Sequence, residues 1–195
     1  RQKQSYPQAG SLLETLEKCY QWYKKYFDQD LGGFGLAPKF PRPVNFQFLF
    51  YYSRVKRVEY ASEMALQTLE KMAKGGIADY LGGGFHRYST DENWFLPHFE
   101  KMLYDQAQLI VAYLEAFQIS QESFFSNVAR ETLRYVMSDM SHPSGGFYSA
   151  EDADSRVIGS QQKFEGAFWI SRFLNSLHLF LSSLALHTLN LATPL

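Results

Sequence analysis

The stretch GGGFHRYSTDENWFLPHFEKMLYDQ, residues 82–106, places glycines, aromatic rings and charged side chains closer together than any other part of the chain. It opens on the motif Gly-Gly-Phe, which also occurs at residues 32–34 and 145–147. The three phenylalanines are 51 and 62 residues apart. Two helices and two loops fit such a period, so the motif predicts a chain of stacked helical hairpins.

Apolar residues recur at three- and four-residue steps in five segments, which we predict to be helices. These segments are residues 11–27, 44–52, 60–73, 97–119 and 124–137. Prolines 38, 41 and 43 and the glycine pairs interrupt the pattern between them. Alternating runs typical of strands do not recur at regular spacing. The predicted fold class is all-α.

The composition fits one globular domain and excludes some functions. Of the 195 residues, 46% are hydrophobic and 17% aromatic, which suits either a plain aromatic core or a cleft for a polyhydroxylated ligand. A net charge of −1 argues against nucleic-acid binding. Cys19 is the only cysteine, so no internal disulfide forms.

The predicted helix from Pro97 carries the first candidate site. His98, Lys101 and Asp105 fall on one side of such a helix, and a first-turn histidine is held neutral by the helix dipole and can act as a base. Lys101 is expected to be held by Asp105 or by a ligand. The plainer interpretation is a surface turn with a Lys–Asp pair. Glu100 is ranked below His98 because it equally fits a simple first-turn acid.

The loop before this helix supplies groups that suit a sugar. Arg87 and Asp91 can bind hydroxyl groups, and Tyr88 and Trp94 can stack on an apolar sugar face. An Arg87–Asp91 pair that only pins the loop explains the same residues.

A second acidic group follows the third Gly-Gly-Phe and comprises Tyr148, Glu151, Asp152, Asp154 and later Glu165. Carboxylates from two loops at one mouth are what glycoside hydrolysis requires. The segment EDADS lacks the glycine and the last glutamate of an EF-hand, and the histidines lack zinc-ligand spacing. We therefore expect neither a metal nor a cofactor.

Four segments together resemble a known family: GGFGLAPKFP (32–41), LGGGFHRYSTDENWFLPHFEKMLYDQAQL (81–109), GGFYSAEDADS (145–155) and EGAF (165–168). They are similar to the helical domain of the spermatogenesis-associated, thioredoxin-domain-containing proteins. That domain resembles the six-hairpin glycosidase superfamily, which includes the N-acylglucosamine epimerases. The resemblance implies an (α/α) toroid with a central cleft, a link to carbohydrate metabolism and a role in sperm development and fertility.

The chain departs from this family in three respects. The family carries a thioredoxin-like domain before this region, which we do not expect in these 195 residues, so no redox role is carried over. Its three hairpin motifs make about half of a six-hairpin toroid. Residues 170–195 are leucine-rich and carry no charge beyond Arg172. We therefore expect residues 1–169 to form a partial toroid and residues 170–195 to be a divergent segment. We expect this segment to cap the edge of the core rather than to span a membrane. Because the chain begins at Arg1, we expect its true amino terminus to lie outside it, and localisation is left open between cytoplasm and secretion.

The predicted function is that of a sugar-binding or sugar-processing toroid with a role in spermatogenesis. If active, it is a glycoside hydrolase using carboxylates or an epimerase using His86 and His98 as bases. The alternatives are a non-catalytic interaction module and an inactive splice product. The expected partner is a small carbohydrate, with no nucleic acid or membrane and with protein partners unknown. The predicted catalytic residues are His98, Asp105, Asp91 and Asp152, and the predicted substrate-binding residues are Arg87, Tyr88, Trp94, Glu100, Lys101 and Asp154.

Overall fold

The structure, a computed structural model, describes residues 9–156 and 162–166. These residues form five helices: α1 (Ala9–Tyr26), α2 (Pro43–Lys56), α3 (Glu59–Lys74), α4 (Leu103–Ser120) and α5 (Ser123–Ser138). The strands are only two or three residues long: β1 (Tyr88–Ser89), β2 (Pro97–His98), β3 (Lys101–Met102), β4 (Ala150–Glu151), β5 (Asp154–Arg156) and β6 (Lys163–Glu165). The all-α prediction is confirmed.

Short turns join the helices into hairpins. Arg57 and Val58 connect α2 to α3, and Gln121 and Glu122 connect α4 to α5. Arg57 and Gln121 adopt left-handed backbone conformations, with φ of 55° and 61°, and donate their N–H groups to Ser53 and Phe117 carbonyls. Such caps satisfy the last carbonyls of a helix and reverse the chain tightly.

The hairpins pack side by side around one apolar core. Helix α2 packs on α3 and on α4, and α4 packs on α5. The fully buried side chains include Phe46, Leu49, Met64, Leu69, Leu109 and Tyr113. Burying aromatic and aliphatic groups of this size is the main favourable contribution to folding, at about 1.5–3 kcal/mol for each side chain.

Each Gly-Gly-Phe motif forms the same loop. In the three Gly-Gly-Phe loops (residues 27–35, 78–86 and 141–148), the backbone of the phenylalanine pairs with the first residue of the loop, which is Phe27, Ala78 or Ser141. The N–H groups of Asp28, Asp79 and His142 each donate to the second glycine's carbonyl at 3.0 Å. The predicted repeat is therefore a repeated structural unit.

A buried lysine closes the first two loops. Lys39 Nζ donates to Asp28 Oδ2 at 2.7 Å and to the Gly32 carbonyl at 2.8 Å. In the second loop, Lys101 Nζ donates to Asp79 Oδ2 at 2.8 Å and to the Gly83 carbonyl at 2.6 Å. Lys101 is thus paired with Asp79, not with Asp105 as predicted.

The helix predicted from Pro97 begins instead at Leu103, so that prediction is wrong. Pro97 and His98 pair with β1, and Lys101 and Met102 pair with β4. These backbone pairings, together with the burial of Lys101 against Asp79, outweigh the local preference of residues 97–102 for a helical turn. The predicted helical face shared by His98, Lys101 and Asp105 does not form.

The predicted boundary at residue 169 and the segment 170–195 lie outside the described residues. Among the helices that the structure describes, none is both long and apolar enough to cross a membrane.

Candidate functional site

The long loops that precede α2 and α4 meet at the amino-terminal ends of these two helices. A row of rings joins them: the Phe40 and Tyr88 ring centroids are 4.6 Å apart, and Tyr88 stacks on His98 at 4.8 Å. Phe40 comes from the first loop and the other two from the second. The Lys39–Ser89 backbone bridge holds the loops in this register. We call each Gly-Gly-Phe loop, together with the helix pair that follows it, a module. The site is therefore built between two modules.

His98 lies between two carboxylates. Its Nδ1 atom is 2.7 Å from Oε1 of Glu165, and its Nε2 atom is 3.8 Å from Oε2 of Glu100. A carboxylate at Nδ1 favours the tautomer that carries the proton there, because the carboxylate only accepts hydrogen bonds. Nε2 is then left without a direct hydrogen bond, because its 3.8 Å distance from Glu100 Oε2 is longer than one.

Arg87 fixes the position of Glu100. Its Nη1 atom is 2.6 Å from Glu100 Oε2, and its guanidinium is partly exposed. Arg87 therefore pairs with Glu100, and the alternative Arg87–Asp91 pair does not form. We refer to His98, Glu165, Glu100 and Arg87 as the His98 cluster.

A pocket of about 270 Å³ adjoins the His98 cluster and shares Arg87 with it. We call it the Asp105 pocket. Its other lining residues come from the start of α2 and the first turns of α4: Phe40, Pro41, Arg42, Pro43, Val44, Tyr104, Asp105 and Gln108. Burial raises the pKa of Asp105 to about 6; the Arg87 charge opposes this rise and the Glu100 charge adds to it. Asp105 can thus exchange a proton near neutral pH.

Asp91 stabilises its own loop. Its carboxylate accepts the N–H groups of Asn93, Phe95 and Leu96 at 2.6–3.2 Å and lies 3.3 Å from the Ser89 hydroxyl. Burial alone would raise the pKa of Asp91, but these hydrogen bonds lower it below its usual value. Backbone groups thus occupy the carboxylate of Asp91. This residue lines a different pocket, together with Tyr80 and Phe95, and not the Asp105 pocket.

Trp94 is a core residue. Its side chain is 1% exposed, and its indole N–H donates to the Leu31 carbonyl at 3.0 Å. The ring lies over Lys39, with Nζ 5.7 Å from the centroid. The expectation that Trp94 offers a stacking surface to a sugar is corrected, because the indole is buried where it joins two loops. Lys101 is likewise fully buried and committed to Asp79.

The acidic segment EDADS (residues 151–155) is connected to the site through Glu165, which lies on the neighbouring strand β6. Asp154 lies opposite Glu165 in the β5–β6 ladder, which brings Glu165 to His98. Asp152 and Asp154 are themselves exposed, and Asp152 accepts the N–H of Asp154 at 3.1 Å. Among the described residues, no contact joins these two aspartates to His98.

His86 lies beneath the site and is 3% exposed. Burial, followed by the Lys101 charge, lowers the pKa of His86 to about 4, so its ring is neutral at physiological pH. A base sealed from solvent in this way does not reach a ligand in the cleft, which removes His86 as the partner of His98. No group of three His, Cys, Asp or Glu side chains in the described ranges could hold a metal ion.

Sequence reasoning missed several residues of the site. Arg42, Tyr104, Gln108 and Phe40 line the pocket but received no role, and Glu165 was named only as part of an acidic group. The segment KFPRP (39–43) held a usable signal, since two prolines fix the backbone around Arg42 immediately before a helix.

The architecture is that of the helical toroid found in sugar epimerases. A cellobiose 2-epimerase from Bacillus thermoamylovorans superposes with a TM-score of 0.61 over 73% of this chain and 41% of the epimerase. A sugar epimerase from a ruminal bacterium superposes with a TM-score of 0.57 over 72% of this chain and 40% of that protein. The sequence identities are 14% and 17%, so the likeness concerns the fold.

By sequence, the chain is a homologue of part of spermatogenesis-associated protein 20. It is 54% identical to the human protein over 164 residues and 55% identical to the rat protein over 168, which is 82% and 84% of this chain. An uncharacterized protein of Caenorhabditis elegans is 42% identical over 162 residues, 80% of this chain. The chain spans about a fifth of the length of these relatives. No protein-family model matches it.

Proposed function

We propose that the cleft at the amino-terminal ends of α2 and α4 binds a sugar-like ligand and that His98 transfers a proton to or from it. The observation that carries this proposal is the His98 cluster, in which Glu165 at 2.7 Å orients the ring and leaves Nε2 facing Glu100. A histidine oriented by a carboxylate and open on its other nitrogen is the usual arrangement of a general base. The name of the relatives, spermatogenesis-associated protein 20, supports a role of this chain in spermatogenesis.

The second group of the proposed reaction is Asp105. A carboxyl with a pKa of about 6 is able to take or give a proton near neutral pH. Tyr88 packs against both Phe40 and His98, and this row of rings supports the histidine beside the pocket. The cleft thus offers proton transfer and hydroxyl binding within one site.

Two reactions use such groups. An epimerase or isomerase removes a proton from carbon, whereas a glycoside hydrolase protonates a leaving oxygen and adds water. Incubating the chain with sugars in D₂O distinguishes them. Carbon–deuterium exchange seen by NMR indicates the first class of reaction, and release of a new reducing end indicates the second.

The test begins with calorimetric titration of the purified, folded chain against a panel of mono- and disaccharides. His98→Ala is expected to lower the rate of the reaction found by about 10²–10⁴-fold while ligand affinity changes much less. His142→Ala is the matched control, because this exposed histidine caps the third Gly-Gly-Phe loop through Ser144. A chain that unfolds cooperatively yet binds no sugar overturns the proposal and leaves a non-catalytic interaction module.

A further inference from the structure

The Asp105 pocket contains a buried carboxyl that the protein itself does not satisfy. Asp105 is 8% exposed, and it lines the pocket from the first turn of α4. Its carboxyl oxygens form no hydrogen bond or ion pair with any of the described residues. Nearly all buried polar groups in proteins have a partner, and one that faces a cavity is most simply satisfied by what the cavity binds.

Arg42 lines the same pocket from the opposite side. Its guanidinium lies over the Phe40 ring at 5.9 Å and forms no ion pair within residues 9–156 and 162–166. The other pocket arginine, Arg87, is already neutralised by Glu100. Arg42 is therefore the one pocket cation in this part of the chain whose charge is not offset by a close carboxylate.

The backbone holds Arg42 in an unusual conformation. Its φ of 42° and ψ of 67° lie in the left-handed region, and Pro41 and Pro43 flank it. A non-glycine residue in this region costs on the order of 1 kcal/mol, and such residues concentrate where a side chain must be held for binding. Proline on either side limits the alternatives open to the chain. The residue is thus rigidly presented at the start of α2.

We propose that the Asp105 pocket binds the acidic end of a sugar acid, with the ligand's carboxylate on Arg42 and an adjacent hydroxyl group donating to Asp105. This inference rests on the proposed function and narrows its ligand to uronic acids. A guanidinium binds a carboxylate with two parallel hydrogen bonds, which a neutral hydroxymethyl group cannot form. The pocket volume of about 270 Å³ is slightly below the range of drug-sized sites, as expected for one part of a ligand.

Proton linkage gives this inference a distinctive signature. The charged groups that act on the pKa of Asp105 are Arg87, which lowers it, and Glu100, which raises it; Arg42 and the Tyr104 phenol line the same pocket. A bound carboxylate adds a negative charge and raises the pKa of Asp105 further. The hydroxyl group that donates to Asp105 lowers this pKa for acidic and neutral sugars alike, so near pH 6.5 a uronate takes up more protons on binding than its neutral counterpart.

The test compares glucuronate and galacturonate with glucose and galactose by calorimetry at pH 6.5, in buffers of different ionisation heat. We expect each uronate to bind at least about 10-fold more tightly than its neutral counterpart and to take up more protons on binding. Asp105→Asn should abolish this difference in proton uptake. Glu63→Gln, at an exposed position on α3, should leave it unchanged.

Substitutions at Arg42 complete the test. Arg42→Gly removes the guanidinium and suits the left-handed backbone, so the variant is expected to fold and to lose the preference for uronates. Arg42→Lys should retain part of it, and Arg54→Ala, on the last turn of the same helix, should retain all of it. Equal affinity for acidic and neutral sugars, or equal weakening of both in Arg42→Gly, overturns the inference and leaves the proposed function standing. No binding of any sugar overturns both.

Discussion

Lys101 Nζ lies 2.8 Å from Asp79 Oδ2, and Lys39 Nζ lies 2.7 Å from Asp28 Oδ2 in the preceding module. Each lysine also donates to the carbonyl of the first glycine in its Gly-Gly-Phe motif. A ring of another loop or helix then covers each ammonium, Trp94 in the first case and Tyr135 in the second. The same three-part contact thus recurs in the first two Gly-Gly-Phe loops.

Breaking the second pair should destabilise the chain strongly. Lys101→Met leaves the Asp79 carboxylate buried without its counter-ion, and we expect a loss of about 3–5 kcal/mol in the free energy of unfolding, measured by urea denaturation. Lys74→Met, which breaks an exposed pair with Glu70, should cost far less, because solvent screens an exposed ion pair. Similar losses in the two variants would show that burial of the Lys101–Asp79 pair is unimportant.

The sequence predicted the modules better than it predicted the site. Helical periodicity and the Gly-Gly-Phe spacing located all five helices of the described residues, with bounds that mostly differ by one to four residues. The exception is α4, which starts six residues later than predicted. There the backbone of Lys101 and Met102 pairs with Ala150 and Glu151, and no local pattern reveals a partner about 50 residues away.

The site shows the same limit. His98, Glu100, Arg87 and Tyr88 were predicted from their residue types, and the structure brings them together. Trp94 was predicted from its type as well, yet packing against Lys39 buries it. Whether an aromatic residue in a glycine-rich loop faces solvent or core depends on contacts between modules, which the sequence of one loop does not contain.

The second glycine of the motif should tolerate alanine differently in different modules. A Cβ atom at Gly84 would lie 2.4 Å from Cδ1 of Tyr135, whereas at Gly146 it would meet nothing within 4 Å. Both residues have positive φ, 73° and 82°, so alanine costs roughly 1–2 kcal/mol of backbone strain at either position. Gly84→Ala should therefore lower the unfolding free energy clearly more than Gly146→Ala in thermal or urea unfolding. Equal effects would contradict the role of Tyr135 as a covering ring.

The third loop carries a histidine where the first two carry aspartate. His142 Nδ1 accepts the Ser144 N–H at 3.1 Å, while Asp79 Oδ1 accepts two backbone N–H groups at 2.8 and 2.9 Å. His142→Asp supplies the same acceptor and should leave the melting temperature unchanged or raise it by a few degrees. Asp79→His removes the carboxylate beside Lys101 and should lower it markedly. A large loss in His142→Asp would mean that the histidine has a role of its own in this loop.

Asp105 should make the chain less stable as pH rises. Its pKa is raised to about 6 in the folded chain, above the value of about 3.9 expected when unfolded, so the folded state binds more protons between these two values. The contribution of Asp105 to the free energy of unfolding is therefore fully present below about pH 4. It is lost as the pH rises through 6, and the loss is on the order of 2 kcal/mol. Asp105→Asn removes this loss.

The measurement is the difference in unfolding free energy between Asp105→Asn and the parent chain at pH 4.5 and 7.5. Asp79 does not obscure the result: burial would raise its pKa, but the Lys101 charge and the backbone N–H groups of Leu81 and Gly82 lower it below its usual value. Its stabilising contribution is thus present above pH 4 in both chains and cancels in the difference. The unfolding free energy of Asp105→Asn should increase relative to that of the parent chain as the pH rises. A difference that stays constant with pH would mean that Asp105 is already satisfied in the folded protein.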